Sequence, residues 1–104
     1  VLVGDLRGHG ESGGERGHVV RFADYVDDVD ALLAVGLAQD AAFRKDRPAR
    51  PDSPPLPSLP AFVTHSMGGL VGLEYVLARP NAFRVIVLSA PFLGLRLRVP
   101  AWYD

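Results

Sequence analysis

Ala61-Phe62-Val63-Thr64-His65-Ser66-Met67-Gly68-Gly69-Leu70-Val71 is the stretch that decides the fold. An apolar, partly β-branched run from Ala61 to His65 predicts a strand. It passes without a spacer into a helical pattern over Met67 to Arg79, with Leu70, Val71, Leu73, Val76 and Leu77 supplying apolar faces. Arg79-Pro80-Asn81 stops that helix. A serine on so sharp a strand-to-helix turn is forced outward, so the Ser66 hydroxyl is expected to stand above the sheet. The amide of Met67, at the helix start, then points where negative charge develops on an attacked carbonyl. Small residues let strand and helix approach each other closely. Gly68 is expected to meet that need, and Gly69 to help the helix pack on the sheet. The usual pattern also wants glycine two residues before the serine. Thr64 stands there instead, branched and demanding room. The plain alternative for Ser66 is a helix cap, a common task for serine.

His65 is adjacent to Ser66 and tempting as its base. Successive strand side chains point to opposite faces, so His65 is expected to aim away from the hydroxyl and to be a packed histidine.

Working outward, Val1-Leu2-Val3 before Gly4 reads as the end of a buried strand, and Asp5 to Gly17 as a glycine-rich loop. From about Phe22, the residues Phe22, Tyr25, Val26, Val29, Leu32 and Leu33 form one apolar helical stripe that fades near Phe43 and Arg44. Asp24, Asp27, Asp28 and Asp30 lie near its start, where acids suit the helix dipole. Asp27, Asp28 and Asp30 read as a solvated helix face. Downstream, Arg84 to Ser89 predicts a third strand, apolar enough to be covered on both faces. The order strand, helix, strand, helix, strand predicts an α/β fold: a three-stranded parallel βαβαβ slice. Three strands leave both sheet edges open, which suggests a slice of a larger sheet.

Between helix and second strand the composition changes abruptly. Six of the nine prolines, Pro48, Pro51, Pro54, Pro55, Pro57 and Pro60, fall here. Proline lacks the amide hydrogen and fixes φ, so neither a helix nor a central strand runs through this segment. It reads as an insertion over about residues 45–60. Its P-x-x-P spacings beside Arg47 and Arg50 suit an SH3-like groove, but proline-rich surface connections are far commoner.

Composition narrows the function. The 104 residues are 48% hydrophobic and 22% charged, with a net charge of −1 and no cysteine. A chain this size buries about 65% of its unfolded surface, enough for a core. The charge balance argues against nucleic-acid binding by phosphate neutralisation and against a polybasic membrane anchor. Without cysteine there is no thiol nucleophile, disulfide or zinc–thiolate site. No apolar run reaches the roughly 20 residues that span a bilayer, and no signal peptide is visible. Gly8-His9-Gly10-Glu11-Ser12-Gly13 has GxGxxG spacing, but no helix opens at its third glycine, so a phosphate would lack a helix end to rest on. Asp5, His9 and His18 fit no compact metal-ligand spacing. No cofactor and no metal are expected.

Two ordered motifs then carry a resemblance. Val3 to Leu33 contains Gly-Asp-Leu-Arg-Gly-His-Gly-Glu-Ser and later Asp-Tyr-Val-Asp-Asp-Val; Ala61 to Leu93 carries His-Ser-Met-Gly-Gly and Val-Leu-Ser-Ala-Pro. This resembles the monoacylglycerol lipase and lysophospholipase (serine aminopeptidase-like) branch of the α/β-hydrolase superfamily. The resemblance implies that residues 1–104 are part of one α/β-hydrolase domain. It implies that Ser66 is the nucleophile, the Met67 amide an oxyanion donor, and a lipid ester the substrate. It implies that a cap begins over about residues 92–104, with Phe92, Leu93, Leu95, Leu97 and Trp102 lining an acyl pocket. The family order is serine, acid, histidine. After Ser66 there is no histidine, and the acids are Glu74 and Asp104, neither in an expected place. His9, His18 and His65 all precede it. The expectation is a central slice of a serine ester hydrolase, inactive alone. The competing expectation is a catalytically dead α/β module that uses its open edges and proline arm for binding. Protein partners stay unknown, and localisation is open, with the cytoplasm slightly favoured.

Overall fold

The computed structural model describes residues 1–47, 52, 54, 55 and 57–94. These contain helix α1 (Asp24–Asp46), strand β1 (Ala61–His65), helix α2 (Met67–Ala78) and strand β2 (Val85–Ser89). They fall into two compact units, Val1–Leu59 and Pro60–Asp104. The chain is α/β, as a partial α/β-hydrolase fold requires.

In the second unit, β1 and β2 pair in parallel, with Ala61 opposite Val85 and His65 opposite Ser89. Helix α2 is the crossover between them. Its buried residues are Gly69, Val71, Gly72 and Tyr75. Val71 and Tyr75 are each 1% exposed, and full burial of such a valine contributes about 1.5–3 kcal/mol. Phe62 stacks on Phe83 at 4.6 Å, and Tyr75 meets both rings edge-on or tilted. The helix stops where Arg79 N–H reaches back to Tyr75 O at 2.7 Å and Asn81 takes a left-handed φ of 69°. Strand β2 was expected to be covered on both faces. Instead Val85 and Val87 are 44% and 48% exposed while Ile86 and Leu88 are half-buried. Side chains alternate across a strand, and α2 packs on only one of the two faces.

In the first unit, α1 buries Tyr25, Val26 and Val29 and half-buries Leu32 and Leu33; Phe22, the first residue of the expected stripe, is half-buried in the turn just before the helix. The helix runs to Asp46, two residues past Arg44, where its apolar pattern fades. Arg44 pairs with Asp40 one turn back and also donates to Pro57 O at 2.7 Å. Val1-Leu2-Val3 forms no strand among the described residues, and the sheet, which lies in the second unit, has the two strands β1 and β2 rather than the expected three. A strand exists by its ladder of paired amides, and three apolar residues supply composition without a partner. Among the described residues no helix is long and apolar enough to cross a membrane.

Candidate active site

The junction of β1 and α2 is a single residue, Ser66. Its backbone sits at φ 53° and ψ −123°, a region that costs a non-glycine residue about 1–3 kcal/mol. Two neighbours hold it there. Ser66 N–H donates to Ser89 O at 3.1 Å, which carries the β1–β2 ladder one residue beyond the strand. Ser66 O accepts from Gly69 N–H and from Phe92 N–H, both at 2.9 Å. The residue is exposed and its hydroxyl makes no capping bond to α2. That removes the helix-cap explanation for this serine. Met67 follows as the first helical residue, so its N–H belongs to the group of amides with no acceptor inside the helix.

Thr64 fits two residues before Ser66 because α2 leaves room for it. A Cβ on Gly72 would stand 2.9 Å from Thr64 Cγ2, 3.2 Å from Ile86 Cδ1 and 3.4 Å from Phe62 Cε1. The missing side chain of Gly72 is the notch that holds the Thr64 methyl. The Thr64 hydroxyl, on a residue only 7% exposed, donates to Val87 O at 3.3 Å on the adjacent strand. The branched residue is thus satisfied in both its apolar and its polar half. Gly69 supplies a second notch, since its Cβ would lie 2.7 Å from Pro91 Cβ. Gly68 does not make the close approach expected of it: a Cβ there meets nothing within 4 Å. Close packing begins one residue later, at Gly69, because that residue is buried where Gly68 is only half-buried.

His65 is exposed rather than packed, since it is the last residue of β1 and lies at the end of the sheet. Its Nδ1 lies 3.2 Å from Ser89 Oγ, so its described partner is that hydroxyl and not Ser66. Phe92 and Leu93 are 42% and 63% exposed just past β2. Leu95, Leu97 and Trp102 lie outside the described residues, as do Pro48, Arg50 and Pro51 of the proline segment.

The glycine-rich loop of the first unit is organised by side chains. Arg7 grips Asp28 through Nε at 3.0 Å and Nη2 at 2.7 Å, and its own N–H donates to the same carboxylate at 3.0 Å. Arg7 hydrogen-bonding holds the Asp28 carboxyl below its ordinary value. Asp28 is therefore no solvated face residue. Asp24 is 7% exposed and paired with Arg21 at 2.7 Å, with Arg7 Nη1 at 3.7 Å. Asp5 accepts from Glu11 N–H, and Ser12 Oγ donates to Asp5 O. His9 Nδ1 lies 3.0 Å from Arg7 O, and its ring is 6.0 Å from that of Tyr25. Asp5, His9 and His18 are not drawn into a common ligand cluster among the described residues.

Comparison with known proteins places the chain in a family. A family model described as serine aminopeptidase, S33, matches residues 1–104. A phospholipase of Bacillus subtilis (YtpA) is 37% identical over 100 residues, covering 95% of this chain and 32% of that protein. Lysophospholipase L2 of Escherichia coli K12 is 33% identical over 107 residues, covering 98% and 27%. A monoacylglycerol lipase of Mycolicibacterium smegmatis is 36% identical over 91 residues, covering 88% and 27%. The chain thus spans about a third or less of the length of these relatives.

Proposed function

Because the chain belongs to the serine aminopeptidase S33 family of α/β-hydrolases, we propose that Ser66 is the nucleophile with which the complete polypeptide cleaves carboxylic esters of lipids. The substrate class is a lysophospholipid or monoacylglycerol, in keeping with the names of its relatives. The observation that carries the reading is the backbone of Ser66: an exposed serine at φ 53°, between strand and helix, with no capping bond to explain it.

On this reading Ser66 Oγ attacks the ester carbonyl carbon and the carbonyl oxygen becomes an oxyanion. The Met67 N–H faces that oxygen, where one preorganised donor is worth about 10²–10³ in rate. The ester C–O bond then breaks. The proton lost by Ser66 passes through a general base to the leaving alkoxide, and the acyl group stays on Oγ. Water attacks that acyl-enzyme and releases the fatty acid and the free serine. Unaided, a serine hydroxyl is a weak nucleophile, so the base is indispensable. His65 is not that base, because its ring is engaged with Ser89. Phe92 and Leu93 begin the apolar surface that receives the acyl chain.

The test is active-site labelling of the complete polypeptide with a fluorophosphonate. Wild type is expected to label at Ser66, and Ser66→Ala to lose both label and turnover, by about 10⁴–10⁶ in rate. Esterase activity retained by Ser66→Ala overturns the reading.

A further inference from the structure

The corner after β2 does something that strand pairing alone does not require. Extending the observed register by one residue sets Ser66 opposite Ala90. In a regular parallel ladder the next amide, that of residue 91, would bond Ser66 O. Residue 91 is proline and has no N–H. Ala90 turns to φ 43°, a conformation L residues rarely adopt, and Phe92 N–H takes the vacant place at 2.9 Å. The Pro91 ring meanwhile fills the notch at Gly69, whose own N–H is the second donor to Ser66 O. Two donors from two different segments therefore converge on one carbonyl.

That carbonyl shares a peptide plane with the Met67 N–H. The peptide unit is planar and trans, so fixing the direction of its C=O fixes the direction of its N–H, which points the opposite way. We propose that Ala90-Pro91-Phe92 is a positioning element for the oxyanion donor: Phe92 N–H, delivered by the Pro91 corner, aims the Met67 N–H by locking the Ser66–Met67 peptide. This rests on the reading of Ser66 as nucleophile. It assigns to the end of β2 a task in transition-state stabilisation, not in substrate binding. A tilt of that peptide weakens the bond to an oxyanion more than any bond to a neutral ester, so its signature lies in kcat and spares KM.

The experiment compares wild type with Pro91→Ala in the complete polypeptide, hydrolysing a p-nitrophenyl acyl ester. Affinity for an aliphatic trifluoromethyl ketone is measured alongside. That ketone accepts Ser66 Oγ at its carbonyl carbon and becomes a hemiketal oxyanion as the serine proton leaves to the base. Pro91→Ala restores a competing N–H at residue 91 and frees the corner. The expected result is a kcat lower by about tenfold, less than the loss of a whole donor. KM stays within twofold, and the ketone's Ki rises by the same factor as kcat falls. A second variant replaces Phe92 with its α-hydroxy-acid analogue. It turns one amide into an ester, removes the single N–H, and is expected to give the same pattern. Its side chain is untouched, so it reads the proposal even if Pro91→Ala folds poorly. Unchanged kcat in both variants overturns the proposal, and so does a loss shared by kcat, KM and thermal stability with Ki unmoved. Wild type that takes no fluorophosphonate at Ser66 defeats the parent reading instead. Normal labelling of wild type with unaltered variant kinetics defeats only this one.

Discussion

The two glycine-rich turns of this chain solve opposite problems. In the loop from Asp5 to Gly17 the positive φ angles fall on glycines, among them Gly8 at 73°. A Cβ on Gly8 would strike the backbone oxygen of Glu15, so both conformation and space demand glycine there. The loop stores little strain, and polar side chains such as Arg7, Asp5 and Arg16 lace it into shape. Around Ser66 the arrangement is reversed. Positive φ falls on Ser66 and Ala90, which carry side chains, while Gly69 and Gly72 serve as notches for Pro91 and Thr64. Strain there is held by backbone bonds from Ser89 and Phe92 and by close packing. Strained non-glycine residues persist only where their surroundings over-determine them, and that is the condition a preorganised nucleophile needs.

Substituting glycine at the strained serine probes this contrast most strongly. Ser66→Gly is expected to abolish turnover while raising stability by about 1 kcal/mol, the relieved strain less the extra chain entropy of glycine. Denaturant unfolding alongside an esterase assay checks it; a fall in stability would mean the turn is not strained at Ser66. The notch comes next. Gly72→Ala is expected to cost about 1–3 kcal/mol by overpacking against Thr64, Ile86 and Phe62. Thr64→Ala should be milder alone and should recover part of that loss in the double variant, so a double-mutant cycle gives a coupling of about 0.5–2 kcal/mol. Additive single effects would separate Thr64 from Gly72 and break the notch account.

The smallest effect belongs to the laced loop. Hydrogen bonding from Arg7 lowers the folded pKa of Asp28. Its contribution is therefore full above the ordinary carboxylate value of 3.8 and is lost as pH falls through the lower folded value. Asp28→Asn is expected to lower Tm by about 2–4 °C at pH 7. The gap should close as pH falls through that lowered folded value and wild type becomes protonated as well. A gap independent of pH would show that the pair acts through shape and not charge.

How far the sequence foretold each region follows the same division. Strand β1, the serine turn and α2 were legible because strand pattern, serine and glycines occur consecutively, within one local code. The apolar stripe Tyr25, Val26 and Val29 was legible from its helical period. The Arg7–Asp28 grip was not, because its partners stand 21 residues apart and depend on how the loop curls. Nor was the task of Gly72. It faces Thr64 only once α2 lies on the sheet, and a glycine inside a helical run reads as a weakness until its neighbour is known. Val1 to Val3 misled for the complementary reason: apolar, β-branched composition is shared by strands and by unpaired segments. The departure of Thr64 from the expected glycine, read as a cost in room, was in fact matched eight residues later by Gly72 of α2, which supplies the room.

The bond from Arg44 to Pro57 O bears on how such a protein can change over generations. It closes a ring of chain, and the entropy of a closed ring grows only logarithmically, about 0.6 kcal/mol for each doubling of length. Insertions and deletions between those two residues are therefore nearly neutral, and descendants can drift in length there. One residue added between Ser66 and Gly72 has no such licence. It rotates the notch by about 100° around the helix axis and swings a side chain toward Thr64, where there is no room for it. The same gene thus holds a freely stretching segment and a frozen one, fewer than ten residues apart.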